Sequence, residues 1–207
     1  MKPLRGRLQG QPLPRWLHQV ALALGLSAFP AQLGAAPPDL LVDSATAQVG
    51  VTTSYDGRYR TLSYPGGDVP MDRGVCTDVL IRAYRHLGID LQQRVHQDMS
   101  AAWGAYPKLW RLKAPDRNID HRRVPNLQTF FTRQGASLPL SRETSAYLPG
   151  DIVTWQLPQG LPHIGIIART QTPNGTPLVI HNIGQGTQIE DILFRYRITG
   201  HYRYFPE

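Results

Sequence analysis

Apolar positions along the chain follow two different rhythms. In the first two thirds they recur at helical spacing, and after Pro149 they run in short blocks bounded by turn residues. Leu40, Leu41, Ala45 and Val49 predict a helix opened by Asp39 and ended at Gly50. Cys76, Leu80, Ala83 and Leu87 stand at offsets of four, seven and eleven, which puts them on one helical face. They predict a second helix over 76–87, closed by Gly88. Leu127, Phe130 and Phe131 mark another over 124–135. The stretch 52–74 is rich in Gly, Pro, Asp and Tyr and reads as an ordered loop. From about 92 to 140 the pattern is poor until that last helix. A short helical piece near Met99–Trp103 and loops full of Pro, Arg and Trp suggest an inserted segment. Strands are predicted over Asp151–Trp155, after a Pro-Gly turn, and over His163–Ala168, Leu178–His181 and Gly200–Phe205. Glu190 and Asp191 read as a turn. Helices first and strands later predict an α+β domain, with N-terminal helices packed on a C-terminal antiparallel sheet.

The first 36 residues stand apart. Lys2, Arg5, Arg7 and Arg15 are followed by an apolar run from Val20 to Phe29, then by small residues ending at Gly34-Ala35-Ala36. That order is the order of a secretory signal peptide, and the run is shorter than the roughly 20 residues that span a bilayer. The expectation is a chain exported to the periplasm or beyond the cell, cut near Ala35 or Ala36, with no lasting membrane anchor. Residues 37–207 would then form a single domain. The leader holds 4 of the 22 Lys and Arg and none of the 15 Asp and Glu, so the remainder carries a net +3. That mild charge does not argue for nucleic acid.

Cys76 is the one cysteine in the chain. Exported proteins usually use cysteines in pairs. A single thiol there is a reactive group, an intermolecular cross-link or a small buried hydrophobe. Cys76 opens its predicted helix, where unpaired backbone N–H groups favour a thiolate. A buried structural thiol would show the same pattern, so the choice depends on whether a base lies opposite. Asp78, about 200° around the helix from the thiol, reads as a first-turn charge that helps the helix start.

Two histidines are placed to supply that base. His163, Gly165 and Ile167 share one face of their strand, and Gly165 leaves room beside the imidazole. If the strands pair with His163 directly opposite His181, the imidazoles sit side by side, and a base with its orienting partner is complete. This register needs a long loop over about Arg169–Gly175. Asn174-Gly175 argues instead for a tight turn, which would carry His181 to Ala168.

The run Gly74-Val75-Cys76-Thr77-Asp78-Val79-Leu80, then His163-Ile164-Gly165-Ile166, then Val179-Ile180-His181, resembles the NlpC-type cell-wall peptidases. Pro149-Gly150-Asp151-Ile152-Val153, Ala47-Gln48-Val49-Gly50-Val51 and Tyr64 before Gly66-Gly67 add to the likeness, which spans about residues 40–205. The resemblance implies a papain-like fold and cleavage of amide bonds in peptidoglycan peptides, without a cofactor. It makes Cys76 the nucleophile, His163 the general base and acid, and His181 the orienting residue. Tyr64 and the Cys76 N–H become candidate oxyanion donors, with Asp151 and Asn182 as further candidates at the substrate. The sequence departs from the family's usual Asp-Cys-Ser-Gly in having Val75-Cys76-Thr77-Asp78. Peptidoglycan or its peptides is the expected partner, and a monomer the expected state.

Trp103, Tyr106 and Trp110, with Lys108, Arg111 and Lys113, suggest either a groove for glycan or acidic peptide or the packing of the insertion. Asp120-His121-Arg122-Arg123 reads as a solvated charged loop or a substrate clamp. Two other classes of function stay open. One is a metal-dependent hydrolase using His163, His181 and Asp151, although no zinc-ligand spacing is present. The other is a non-catalytic wall-binding protein with an inert Cys76.

Overall fold

The helical half is organised around α2 (Cys76–His86), which is buried on nearly every side. These coordinates are a computed structural model, and they describe residues 37–206; the predicted signal peptide lies outside that range. Helix α2 starts where the sequence places it because of a local device. The Asp78 carboxylate reaches back to the backbone N–H of Val75, 2.7 Å away, which satisfies one of the N–H groups orphaned at a helix start. Gly74 makes this possible: a Cβ there would lie 3.0 Å from both Cβ and Oδ2 of Asp78.

On α2 pack α1 (Pro37–Thr46) and α3 (Leu91–Ala101), while α4 (Val124–Arg133) packs on α3 and on the C-terminal strands. The poorly patterned stretch is therefore no appendage. Val95 and Met99 of α3 and Leu127, Phe130 and Phe131 of α4 enter the same core as Leu80 and Tyr84 of α2. Helix α3 escapes the sequence pattern because most of its residues are polar. It is set by its cap: Asp90 accepts from the N–H of Gln92 at 2.9 Å and of Gln93 at 3.3 Å.

Within the loop before α2, β1 (Ser54–Tyr55) and β2 (Arg73–Gly74) pair in parallel. The C-terminal half forms a five-stranded antiparallel sheet from β3 (Ile152–Gln156), β4 (Pro162–Gln171), β5 (Pro177–His181), β6 (Gln188–Glu190) and β7 (Arg197–Tyr202). Their spatial order is β6-β5-β4-β3-β7. Ile152, Ile164, Ile166, Ala168 and Ile180 face the helices. Val153, Trp155, Ile167 and Val179 face a second, smaller core with Tyr147, Ile192 and Leu193. Helices on an antiparallel sheet is the α+β class that the chain pattern predicts.

Two local readings are corrected. Glu190 is the last residue of β6, not part of a turn. The Asp120–Arg122 stretch is a buried 3₁₀ turn rather than a solvated loop. It is drawn inside because Arg122 pairs with Asp78, with Nε–Oδ1 at 2.8 Å and Nη2–Oδ2 at 2.9 Å. Both side chains are at least 96% buried (2% and 4% exposed).

Candidate active site

The Cys76 sulfur sits where the sheet leaves a gap. Successive N–H groups of a strand point to opposite neighbours. In β4 the Ile167 N–H goes to Asp151 beside β3, so that of Ile164 points toward the β5 side. There β5 has ended: its ladder with β4 reaches Ile166–Ile180, and the next β5 residue, His181, is the last. The Ile164 N–H is thus left without a strand partner and lies near the Cys76 sulfur, as do the N–H groups of Thr77 and of Cys76 itself. All three favour a thiolate. Burial opposes them and wins, with Asp78 adding like-charge repulsion, and the thiol is pushed up to about 12. In the unliganded protein the sulfur therefore rests protonated at neutral pH.

His163 directly precedes Ile164. Its Nε2 lies 3.0 Å from Nδ1 of His181, with the rings nearly perpendicular at 84°. Trp155 covers the His163 ring at a centroid distance of 5.9 Å. Burial, with the His181 ring beside it, pushes His163 down to about 3, and burial also lowers His181, so both are neutral at rest.

The register that unites the histidines differs from both sequence readings. The turn is tight: Thr172 N–H donates to Thr176 O and Gly175 N–H to Thr172 O, each at 2.9 Å. An irregularity between Ile167 and Gln171 then shifts the pairing, so that Ile166 faces Ile180 and His181 comes level with Gly165 rather than with His163. The imidazoles are diagonal neighbours, within reach of long side chains. The missing side chain of Gly165 admits His181, since a Cβ there would lie 3.2 Å from the His181 Cβ and 2.6 Å from Val179 Cγ1.

Other predicted residues fall elsewhere. Tyr64 packs edge-on against His96, with Arg117 over its ring. It does not line the cleft above Cys76; Tyr55 and Tyr59 do. Tyr55 is raised to about 12 by burial, with the Cys76 and Asp78 charges adding to the effect, and so keeps its hydroxyl proton. Asp151 is buried at the far end of β3, held by His201 Nε2 at 2.8 Å and by Arg203 Nε at 2.7 Å. It stands about four residues along the strand from the level of His163, roughly 13 Å. His163, His181 and Asp151 therefore do not converge as a ligand set. Asn182 is also buried. Its Nδ2 donates to Gly74 O at 3.1 Å and more weakly to Ser54 O at 3.4 Å, tying the end of β5 to the strand that leads into Cys76. It is a brace, with no polar contact toward the cleft.

Glu190 is the residue that sequence reasoning missed. Its Oε2 lies 2.9 Å from Nε2 of His181, off the line of the ring N–H bond. A period-two reading of Gln188-Ile189-Glu190 would have put Glu190 on a strand, but three residues are too few to display a rhythm.

The cleft over Cys76 encloses about 450 Å³ and also includes Trp110, Arg122, Arg123, Leu161 and Pro162. Arg123 stacks on Trp110 at 4.1 Å. Of the proposed aromatic groove only Trp110 reaches this cleft; Tyr106 is buried and donates to Asp98.

The fold and site define an α+β domain with a lone cysteine at a helix start and a pair of histidines at the adjoining strand ends. The chain belongs to a family known as a domain of unknown function, DUF1287, whose model matches residues 42–204. It is 55% identical over 165 residues to the uncharacterized protein YijF of Escherichia coli K12, a match covering 80% of each chain. Among solved structures it is similar to NlpC1 from Trichomonas vaginalis, at 17% identity and a TM-score of 0.44. That match takes in 84% of this chain but only 46% of the other, so the chain spans less than half the length of that protein.

Proposed function

We propose that this protein is an exported cysteine hydrolase that cleaves amide bonds in peptidoglycan peptides, with Cys76 as nucleophile, His163 as base and acid, and His181 as orienting residue. The observation that carries the reading is the position of the sulfur: in a cleft, at a helix N-terminus, against the N–H of the residue that follows His163. His163, the residue before Ile164, and His181 contact each other at 3.0 Å, and such a pair can serve as a base and the group that orients it.

The resting neutral states imply base-assisted attack rather than a standing ion pair. His163 takes the thiol proton as the sulfur bonds to the carbonyl carbon. The developing oxyanion is met by the N–H groups at the start of α2 and by the Tyr55 hydroxyl, which takes the part first given to Tyr64. The C–N bond breaks, and His163 returns the proton to the departing amine. Water then attacks the thioester with His163 again as base, releasing a carboxylic acid and restoring the thiol.

The test is mass spectrometry of muropeptides after incubation of cell-wall material with wild type and with Cys76→Ala. The expected result is new cleaved fragments with wild type and none with the variant, whose fold is checked by circular dichroism. Full hydrolysis by Cys76→Ala would remove the thiol from the mechanism.

A further inference from the structure

We infer that Glu190 is a positioning residue that fixes the proton arrangement of the His163–His181 pair and thereby leaves His163 ready to accept a proton from Cys76. This deepens the reading of the site as a cysteine–histidine centre.

The argument is one of donors and acceptors. A neutral imidazole carries one N–H and one lone pair. A carboxylate oxygen 2.9 Å from His181 Nε2 repels a lone pair on that nitrogen and favours the proton there. With the proton there, His181 Nδ1 is the acceptor in the 3.0 Å contact and His163 Nε2 the donor. The remaining nitrogen of His163, Nδ1, then carries a lone pair, the state that the base in the proposed mechanism needs. Without Glu190 no described group contacting the pair selects this arrangement over its reverse, in which His163 Nδ1 would carry the hydrogen and could not take another. The same carboxylate supplies negative charge to the imidazolium formed when the thiol ionises. Because the contact is off-axis, it acts chiefly through charge.

The other charged or titratable groups on the elements packed around the pair are already engaged. Asp78 of α2 is paired with Arg122 from the buried 3₁₀ turn. Asp151, just before β3, is paired with Arg203 and with His201 of β7. Tyr55 of β1 stays protonated. Cys76 itself is the reacting partner, and the β6 residue directly opposite His181 is the neutral Gln188.

Cys76 is the only thiol, so its alkylation by iodoacetamide reads the site without any substrate. Rates are measured from pH 5 to 10, on the order of the range over which thiols and histidines titrate, in wild type, Glu190→Gln, Glu190→Asp and His163→Ala. Expected is a roughly three- to tenfold fall at neutral pH in Glu190→Gln, partial recovery in Glu190→Asp, and the slowest reaction in His163→Ala. Nitrogen-15 shifts of the imidazoles are expected to show His181 as the Nε2–H form in wild type and a mixture in Glu190→Gln. An unchanged pH profile with an unchanged His181 form in Glu190→Gln overturns the inference. If these effects appear but no muropeptide is cut, Glu190 keeps its role and the peptidoglycan reading alone fails. If His163→Ala alkylates like wild type, His163 is not the base for Cys76, and the His181 form decides Glu190 by itself.

Discussion

At the scale of single residues, the charged side chains that matter are those that left the surface. Arg122 and Asp78 stand 44 positions apart in the chain and meet with two hydrogen bonds inside the fold. Removing one partner of such a pair strands the other without solvent, which costs about 3–5 kcal/mol. Arg122→Met is therefore expected to lose stability of that order in urea unfolding. It should also slow alkylation of Cys76, because the unpaired Asp78 charge opposes the thiolate more strongly. The double variant with Asp78→Asn should recover part of the stability. Sequence reasoning placed Asp78 at the helix start and saw its capping function, which depends only on neighbours three residues apart. It could not see Arg122, because no local pattern records which distant cation a carboxylate will meet. The same holds for Glu190, whose importance comes from a ring on another strand.

At the scale of elements, the site depends on one strand pairing. The Asn174-Gly175 turn signal is correct as chemistry, yet taken alone it puts the histidines out of register. The irregularity in β4 corrects this, and Gly165 makes the resulting diagonal contact possible. Gly165→Ala would force its Cβ into Val179, His181 and the Ile180 carbonyl. It is expected to cost about 1–3 kcal/mol, read as a lower thermal midpoint. It should also part the imidazoles, so that Cys76 alkylation drops toward the level of His163→Ala. A variant that loses stability but keeps wild-type alkylation would separate packing from the histidine contact. The helix starting at Cys76 was legible because an apolar stripe, a first-turn Asp and a closing Gly agree. Helix α3 was not, because its cap rather than its stripe carries the signal.

For the whole molecule, burial of titratable groups ties stability to pH. His163 and His121 are both pushed down to about 3, chiefly by burial, and His181 is lowered as well. Unfolded histidines titrate near 6.5. As pH falls below that value the unfolded chain takes up protons that the native state refuses, so stability declines toward about 3, by up to about 1.4 kcal/mol per pH unit for each histidine. Asp120, raised to about 6 by burial, works in the opposite sense between its ordinary value near 3.8 and 6, and offsets one of the three. The Cys76 thiol, raised to about 12, adds a loss as pH climbs above its ordinary value near 9. Urea midpoints measured across pH should therefore be highest between roughly 6.5 and 9. A midpoint that rises as pH falls from 6 to 4 would contradict this account, with those limits on the order of the histidine and carboxylate ranges. What the amino-acid order determined unaided was whatever rests on neighbours: the α+β class, the start of α2 at Cys76, and the strands that carry His163 and His181. The tertiary structure alone decided the rest. It put the sulfur in the gap past the end of β5, exchanged Tyr64 for Tyr55 beside it, turned Asp151 and Asn182 into braces, and set Glu190 against His181. Periodicity and capping act over a few residues, whereas register, burial and ion pairing are settled by segments far apart in the chain.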